Sequence, residues 1–214
     1  IYKQIKMHPE EQLINQRLEK LKALKVLGEL PYEYNYKKTI NAQEILEKFK
    51  KIKKEEKTKI KVSVAGRIMS LRLMGKASFG HLQDESGRIQ FYIKDEESQN
   101  NYKIFKKLDI GDIIGIEGIV FKTKTGEVSI WVKKIKLLTK CIKPLPEKWH
   151  GLQDTELRYR QRYLDLIVNP TVKQTFLKIS SIISAIREFL IKRSYIEVDT
   201  PILQPIYGGT SARP

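Results

Sequence analysis

The sequence predicts a mainly β fold with helices, because the spacing of its apolar residues changes twice along the chain. Up to about residue 60 they recur every three or four residues, as in helices, and from Lys61 they alternate, as in strands. Helical spacing returns after residue 154. We therefore expect a helical extension at 1–60, a strand domain at 61–140, a linker at 141–153 and the beginning of another domain at 154–214.

Two helices are predicted before the strands. Pro9 suits the first position of a helix, and a leucine-rich stripe follows it as far as Gly28. Asn41 with Glu44 three residues later is typical of a capping box, which begins the second helix. The lysine-rich run at 50–59 is expected to be the solvated end of that helix and a connector.

Five strands and one helix are predicted next. Strands begin at Lys61, at Ser78 and at Ile89, and a helix follows at 101–108. The inward residues expected in the three strands are Val62, Val64 and Ile68, then Ser78, Gly80 and Leu82, then Ile89, Phe91 and Ile93. Two further strands lie at 113–121 and 128–137, separated by a polar turn. This order is that of a five-stranded OB barrel, although five short strands are also compatible with an open sheet.

The last part of the chain has the pattern of a domain that is only begun. Pro144 and Pro146 mark the linker. A helix is predicted at 172–192 and a strand at 195–199, which Pro201 ends. Because one helix and one strand do not close a core, we expect the chain to be part of a longer protein.

Composition favours a polyanionic partner and excludes several other classes. The chain has 41 Lys and Arg residues against 25 Asp and Glu residues, a net charge of +16. Such a charge is typical of nucleic-acid binding, although lysine also serves solubility. The one cysteine, Cys141, cannot form an internal disulfide, and the histidines have no zinc-ligand spacing. From the cysteine and histidines we expect a cytoplasmic protein without a metal site. No apolar run is long enough for a membrane span.

The outward face of the second and third strands is the clearest candidate site. If Ser78, Gly80 and Leu82 face the core, Phe79 faces outward, and in the next strand Gln90 lies on the same surface. An exposed aromatic ring beside an amide and basic groups suits a single-stranded nucleic acid, whose bases stack on the ring. The alternative is that Phe79 belongs to the core. Arg72, expected in the turn after the first strand, is equally compatible with a solvated surface.

Other candidates have simpler explanations. The loop at 122–127 suits base contacts, but lysine-rich hairpin turns are commonly just solvated. The arginines at 158–162 are at least as compatible with ion pairing as with RNA contact. No set of nucleophile, base and orienting residue is visible, and no phosphate-binding Gly-Lys-Ser/Thr loop is present, so no catalytic residue is assigned.

Segments over nearly the whole chain resemble, in order and spacing, those of the class II lysyl-tRNA synthetases. They include Met74–Phe79 (MGKASF), Gly87–Gln90 (GRIQ) and Arg158–Leu166 (RYRQRYLDL). The others are 65–67, 82–84, 109–112, 121–127, 143–146 and 150–154. Residues 197–201 with 208–214 resemble the motif 1 of that family and the substrate loop after it. The resemblance implies an OB barrel followed by the start of an α+β catalytic domain with an antiparallel sheet.

The resemblance also implies roles for individual residues. The amino-terminal helices and barrel would bind the anticodon of tRNA-Lys. Phe79 matches the aromatic residue that stacks on the central anticodon uridine, Gln90 the residue that reads this base, and Arg72 the residue that supports it. Glu127 matches a loop glutamate that meets the anticodon. Pro201 matches the motif 1 proline at the homodimer interface.

The catalytic part of such an enzyme would activate lysine with ATP and Mg²⁺ and transfer it to the tRNA 3′ end. Gly208 matches a glycine that contacts the lysine substrate, and Tyr207 stands where many relatives carry proline. Motifs 2 and 3 would lie beyond Pro214, so this chain alone is expected to be inactive and to bind no cofactor. The alternatives are an aspartyl- or asparaginyl-type synthetase and a free-standing OB module for single-stranded nucleic acid.

Overall fold

The computed structural model describes residues 8–75, 77–95, 99–146 and 152–203. The chain divides into two compact units, Ile1–Leu145 and Pro146–Pro214.

Two helices precede the strands of the first unit, as predicted. Helix α1 spans Pro9–Val26, and helix α2 spans Ala42–Lys48. The backbone N–H of Asn41 donates to the Glu44 carboxylate at 3.3 Å, which confirms the predicted capping box. Because the next strand begins at Lys57, the connector after α2 is shorter than the lysine run suggested.

The strands form a closed five-stranded barrel, which confirms the predicted OB fold and rules out the alternative of an open sheet. They are β1 (Lys57–Met74), β2 (Ala77–Gln83), β3 (Arg88–Lys94), β4 (Ile113–Lys122) and β5 (Val128–Thr139), with helix α3 (Gln99–Phe105) between β3 and β4. Around the barrel the order is β1-β2-β3-β5-β4. The β3–β5 pair is parallel and the other four pairs are antiparallel.

The barrel interior is filled by the alternate residues that the sequence predicts. Ile89, Phe91 and Ile93 are buried, as are Ser78, Gly80 and Leu82 of β2. The Phe91 ring packs edge-to-face on Phe105 of α3, with 6.1 Å between ring centroids. A Cβ at Gly80 would meet the Phe91 ring and lie 2.8 Å from the Ser70 carbonyl oxygen. Glycine at this position therefore gives the Phe91 ring its space.

Strand β1 extends further than predicted, which corrects the position of Arg72. Arg72 lies on β1 opposite Phe79, and the ladder continues as far as the Met74–Ala77 pair. Gly75, with φ +66°, forms the tight turn after it. A shift in register between Ile68 and Ser70 interrupts the regular alternation, so the sequence pattern suggested an early end.

A buried ionic cluster joins α1 to the end of the barrel. The Lys140 ammonium contacts Asp109 at 2.6 Å and Asp112 at 2.8 Å, and Lys20 of α1 contacts Asp109 at 2.5 Å. Burial raises the pKa of Asp112 above its ordinary value, in spite of the neighbouring Lys140. Burial acts in the same direction on Asp109, but hydrogen bonds from Lys140 and Lys20 outweigh it, so the pKa of Asp109 is lowered.

The second unit consists of helices in the part that the structure describes. They are α4 (Thr155–Arg160), α5 (Arg162–Val168) and α6 (Pro170–Ile191). The predicted strand at 195–199 is wrong, since these residues are irregular. A strand needs a neighbour for its backbone hydrogen bonds, and none of the described residues pairs with this segment. Among the described helices, none has both the length and the apolar character needed to cross a membrane.

Candidate nucleic-acid interface

Two rows of outward side chains cross the barrel side by side. The first runs over β1, β2, β3 and β5 through Arg72, Phe79, Tyr92 and Trp131, each paired with the next. We call it the aromatic row. The second, two residues away on every strand, is the polar row, and it contains Ser70, His81, Gln90 and Ser129. Since successive side chains of a strand point to opposite faces, residues two apart share a face, and both rows lie on the outside of the barrel.

The aromatic row is a set of touching rings. The Phe79 and Tyr92 ring centroids are 4.9 Å apart, and those of Tyr92 and Trp131 are 5.0 Å apart. Phe121 of β4 joins them at 5.5 Å from Trp131. Phe79 is half-buried, so it is neither a core residue nor fully solvated. The Phe79 ring therefore lies on the outer face of the barrel, as predicted.

A cavity of about 520 Å³ opens above the two rows. Arg72, Phe79, Gln90, Tyr92 and Trp131 all line it. Its rim includes Lys57, Lys122 and Lys124. The cavity thus combines aromatic faces, an amide and cationic groups, which are the groups that bind bases and phosphates in single-stranded nucleic acids.

The polar row is linked by hydrogen bonds through Glu127. The Gln90 side-chain N–H donates to Glu127 Oε2 at 2.7 Å, and the Ser129 hydroxyl donates to Gln90 Oε1 at 2.8 Å. His81 Nε2 lies 3.2 Å from Glu127 Oε1, and His81 Nδ1 lies 2.9 Å from the Ser70 hydroxyl. The amide, the imidazole and the carboxylate therefore form one network.

The hairpin between β4 and β5 places Glu127 at this network. Thr123 N–H donates to the Glu127 carbonyl at 2.9 Å, and Gly126, with φ +95°, turns the chain. The Lys122 ammonium donates to the carbonyls of Lys50 and Ile52, at 2.9 and 3.1 Å. Lys122 is thus bonded within the protein, which neither the base-contact prediction nor the solvated-turn explanation of this loop included.

The basic groups of the rim differ in how they are engaged. The Lys57 ammonium lies 3.5 Å from the centroid of the Trp131 ring, a cation–π contact. Lys124 lies 3.5 Å from the Glu55 carboxylate, and both side chains are largely exposed. Exposed pairs of this kind contribute little to stability and separate readily when a phosphate competes.

The structure brings together four of the six predicted site residues. Arg72, Phe79 and Gln90 share one face, and Glu127 bonds to Gln90. Pro201 belongs to the second unit, where it is exposed, and Gly208 lies outside the described residues.

The arginines of the second unit form ion pairs within that unit. Arg158 and Arg162 both contact the buried carboxylate of Asp165, at 3.1 and 2.5 Å. Burial alone would raise the pKa of Asp165, but hydrogen bonds from Asn169 and Arg158 outweigh it and lower that pKa. Arg160 pairs with Glu156 at 2.7 Å. These contacts agree with ion pairing as the explanation of the arginine run.

Sequence reasoning did not single out Ser129, Trp131 or Lys57. A signal for the first two was present, since Val128, Ile130 and Val132 are buried and leave Ser129 and Trp131 on the other face. Ser129 is fully buried even so, and its hydroxyl donates to Gln90 Oε1. Lys57 was not identified as a site residue because the start of β1 was predicted four residues too late, at Lys61.

No metal site is found in the described residues. Within 8–75, 77–95, 99–146 and 152–203, no three His, Cys, Asp or Glu side chains are grouped so that they could hold a metal ion. None of these residues is therefore assigned to Mg²⁺.

Two family models match the chain. Residues 62–138 match the OB-fold nucleic acid binding domain of the tRNA anticodon type. Residues 154–214 match the class II tRNA synthetases for aspartate, lysine and asparagine. The first match coincides with the barrel, and the second covers the helices of the second unit.

Curated relatives with high identity are lysine–tRNA ligases. The enzyme of Carboxydothermus hydrogenoformans is 52% identical over 204 residues, which are 95% of this chain and 41% of that protein. That of Moorella thermoacetica is 49% identical over 211 residues, 98% of this chain and 42% of the relative. The enzyme of a Thermoanaerobacter strain is 53% identical over 205 residues, which are 95% of this chain and 40% of the relative. The chain thus spans about two fifths of the length of these relatives.

Proposed function

Since the chain belongs to the class II lysyl-tRNA synthetase family, we propose that its barrel binds the anticodon loop of tRNA-Lys. The observation that supports this most directly is that Phe79 lies on the same face of the barrel as Gln90, whose amide is hydrogen-bonded to Glu127. An aromatic ring can hold one unpaired base by stacking, and a neighbouring amide can read the edge of that base.

The proposed role of each residue on this face follows from the chemistry of its side chain. Phe79 stacks on the central uridine of the anticodon, and Gln90 hydrogen-bonds to the edge of this base. Arg72, directly opposite Phe79 on β1, holds the phosphate or sugar of the same nucleotide. Glu127 orients Gln90 and meets the anticodon from the hairpin.

The whole protein, of which this chain covers a part, is proposed to be a lysine–tRNA ligase. The carboxylate of lysine attacks the α-phosphate of ATP, which yields lysyl-adenylate and pyrophosphate. A terminal ribose hydroxyl of tRNA-Lys then takes the lysyl group and releases AMP. ATP and Mg²⁺ are proposed requirements of this reaction, and the cytoplasm is its proposed location.

Two residues of the second unit receive proposed roles in that larger protein. Gly208 contacts the lysine substrate, and Pro201 lies at a homodimer interface. The exposed apolar side chains of α6, among them Phe176, Ile183 and Leu190, support burial of this helix in the complete protein.

The alternative functions are less well supported. The class II family model includes aspartate and asparagine enzymes, but the relatives at about 50% identity are named for lysine. A free-standing nucleic-acid module does not account for the synthetase match at 154–214.

Binding of the chain to an anticodon stem-loop RNA with a UUU anticodon tests the proposal. We expect Phe79→Ala to weaken binding by about 1–3 kcal/mol, because the stacking surface for one base is lost. The matched control is Tyr34→Ala, which removes an aromatic ring that is 96% exposed and lies outside both rows. Equal binding by the wild type and the Phe79→Ala variant would contradict the proposal.

A further inference from the structure

We propose that His81 is a positioning residue that holds Glu127 and thereby locks the Gln90 amide in one orientation, and that this lock makes Gln90 prefer uracil to cytosine. This inference rests on the proposed function of the barrel. It adds a residue that determines base specificity through Glu127 and Gln90.

The orientation of the amide is fixed by what its neighbours can donate and accept. An ionised carboxylate only accepts hydrogen bonds, so the group of Gln90 that lies 2.7 Å from Glu127 Oε2 must be the NH₂. The oxygen then faces Ser129, whose hydroxyl donates to it at 2.8 Å. A flipped amide would place its oxygen against the Glu127 carboxylate and lose that bond, whereas the Ser129 hydroxyl can donate to the amide oxygen or accept from the amide NH₂. Glu127 is therefore the group that fixes the orientation.

His81 holds Glu127 in place for this purpose. The imidazole Nε2 lies 3.2 Å from Glu127 Oε1, the carboxylate oxygen that Gln90 does not use. For the same reason as above, Nε2 must carry the proton. In the neutral ring Nδ1 then accepts from the Ser70 hydroxyl, 2.9 Å away. Glu127 is therefore fixed through both oxygens, although its side chain is 46% exposed.

The locked amide retains one donor and one acceptor. Its NH₂ has two hydrogens and its oxygen has two lone pairs, and one of each is used by Glu127 and Ser129. Among the residues that the structure describes, these two provide the side-chain bonds of the Gln90 amide. The order of the remaining donor and acceptor is fixed as long as the amide does not flip.

This order matches uracil and opposes cytosine. Uracil presents the O4 acceptor next to the N3–H donor, which can receive the N–H and meet the oxygen of Gln90. Cytosine presents an N4–H donor next to the N3 acceptor, so donor would face donor and acceptor would face acceptor. A free amide could flip to suit cytosine. Stacking on Phe79 fixes the base, and the lock prevents the flip, so both are needed for discrimination.

The test compares binding of the whole chain to two stem-loop RNAs that differ only in U or C at the central anticodon position. The measured quantity is the ratio of the two dissociation constants. We expect the wild type to prefer U and His81→Leu to reduce the ratio about three- to tenfold, the effect of one hydrogen bond. Ser129→Ala is a control, because this hydroxyl can bond to either orientation of the amide, and it should change the ratio less than His81→Leu does.

Two further variants separate this role from a structural one. His81→Gln retains an N–H donor and should keep more of the ratio than His81→Leu. Ser63→Ala removes a half-buried hydroxyl of β1 that bonds to Tyr36 rather than to either row, and the ratio should not change. Thermal unfolding of every variant verifies that it is folded.

The outcomes distinguish the inference from the function on which it rests. If the wild type does not discriminate between U and C, the proposed anticodon function of this face is wrong. If Gln90→Ala removes the discrimination but His81→Leu keeps it, the lock is wrong and the function stands. Equal weakening of both RNAs by His81→Leu, with the ratio unchanged, would show a purely structural role and would also overturn the inference.

Discussion

The Lys140 ammonium lies 2.8 Å from the Asp112 carboxylate, and both side chains are completely buried. Asp112 also accepts from the backbone N–H of Cys141 at 2.8 Å and from that of Asp109 at 2.8 Å. Each charge is thus paired and hydrogen-bonded, which is the condition under which a buried ion pair is tolerated. Because Lys20 reaches Asp109 from α1, the same cluster ties this helix to the barrel.

Removing the cation of this cluster is expected to be strongly destabilising. Lys140→Met keeps most of the side-chain volume but leaves Asp112 buried without its counter-ion, which typically costs about 3–5 kcal/mol. The free energy of unfolding from urea titration measures the loss. The matched variant Lys134→Met affects the pair of Lys134 on β5 with Glu117 on β4, whose side chains are 65% and 49% exposed, and its cost should be below about 1 kcal/mol. Similar losses for both variants would contradict the role given to the cluster.

The turn between β2 and β3 predicts a dependence of stability on pH. Asp84 Oδ1 accepts from Ser86 N–H and from Gly87 N–H, at 2.8 and 2.9 Å, and Oδ2 accepts from Ala42 N–H at 2.8 Å. Burial acts to raise the pKa of Asp84, but the hydrogen bonds from Ser86, Ala42 and Gly87 outweigh it, so this pKa is lowered in the folded state. The ionised form therefore stabilises the fold above the unfolded-state pKa, and that contribution is lost as the pH falls through the folded-state value.

Asp84→Asn is expected to lower the free energy of unfolding by about 1–2 kcal/mol near neutral pH, because the amide cannot accept all of these bonds. The difference from the wild type should shrink below about pH 4, where the wild-type carboxyl is progressively protonated. Urea titrations of both proteins over this range test it. A difference that stays constant from neutral to acidic pH would refute the assignment.

The outward position of Phe79 could be predicted from sequence, whereas the position of Arg72 could not. Ser78, Gly80 and Leu82 are small or apolar and alternate with Phe79, so local periodicity was sufficient. Arg72 depends on how far β1 pairs with β2, which is set by the turn at Gly75 and by a register shift near Met69. Pairing between strands is not a local property, and the same reason explains the wrong strand at 195–199.

The lock on Gln90 illustrates the same limit for the site. Gln90 was predicted as a base reader, but its partners Glu127 and Ser129 lie 37 and 39 residues further along the chain. Only the parallel pairing of β3 with β5 brings Ser129 next to Gln90. A resemblance between sequences identified the reader, and the three-dimensional register was required to find what orients it.

Lys57 provides a final prediction, which concerns affinity without specificity. Its ammonium lies over the Trp131 ring at the rim of the cavity, so it can reach a phosphate of a bound loop but belongs to neither row. Lys57→Ala should weaken binding of the U and C stem-loops equally and reduce the slope of log K against log salt by about one, as for the loss of one phosphate contact. Lys103→Ala, an exposed lysine of α3 that does not line the cavity, is the control and should leave the slope unchanged. An altered ratio of U to C binding in the Lys57→Ala variant would mean that Lys57 takes part in base reading, contrary to the division of roles between the cationic rim and the polar row.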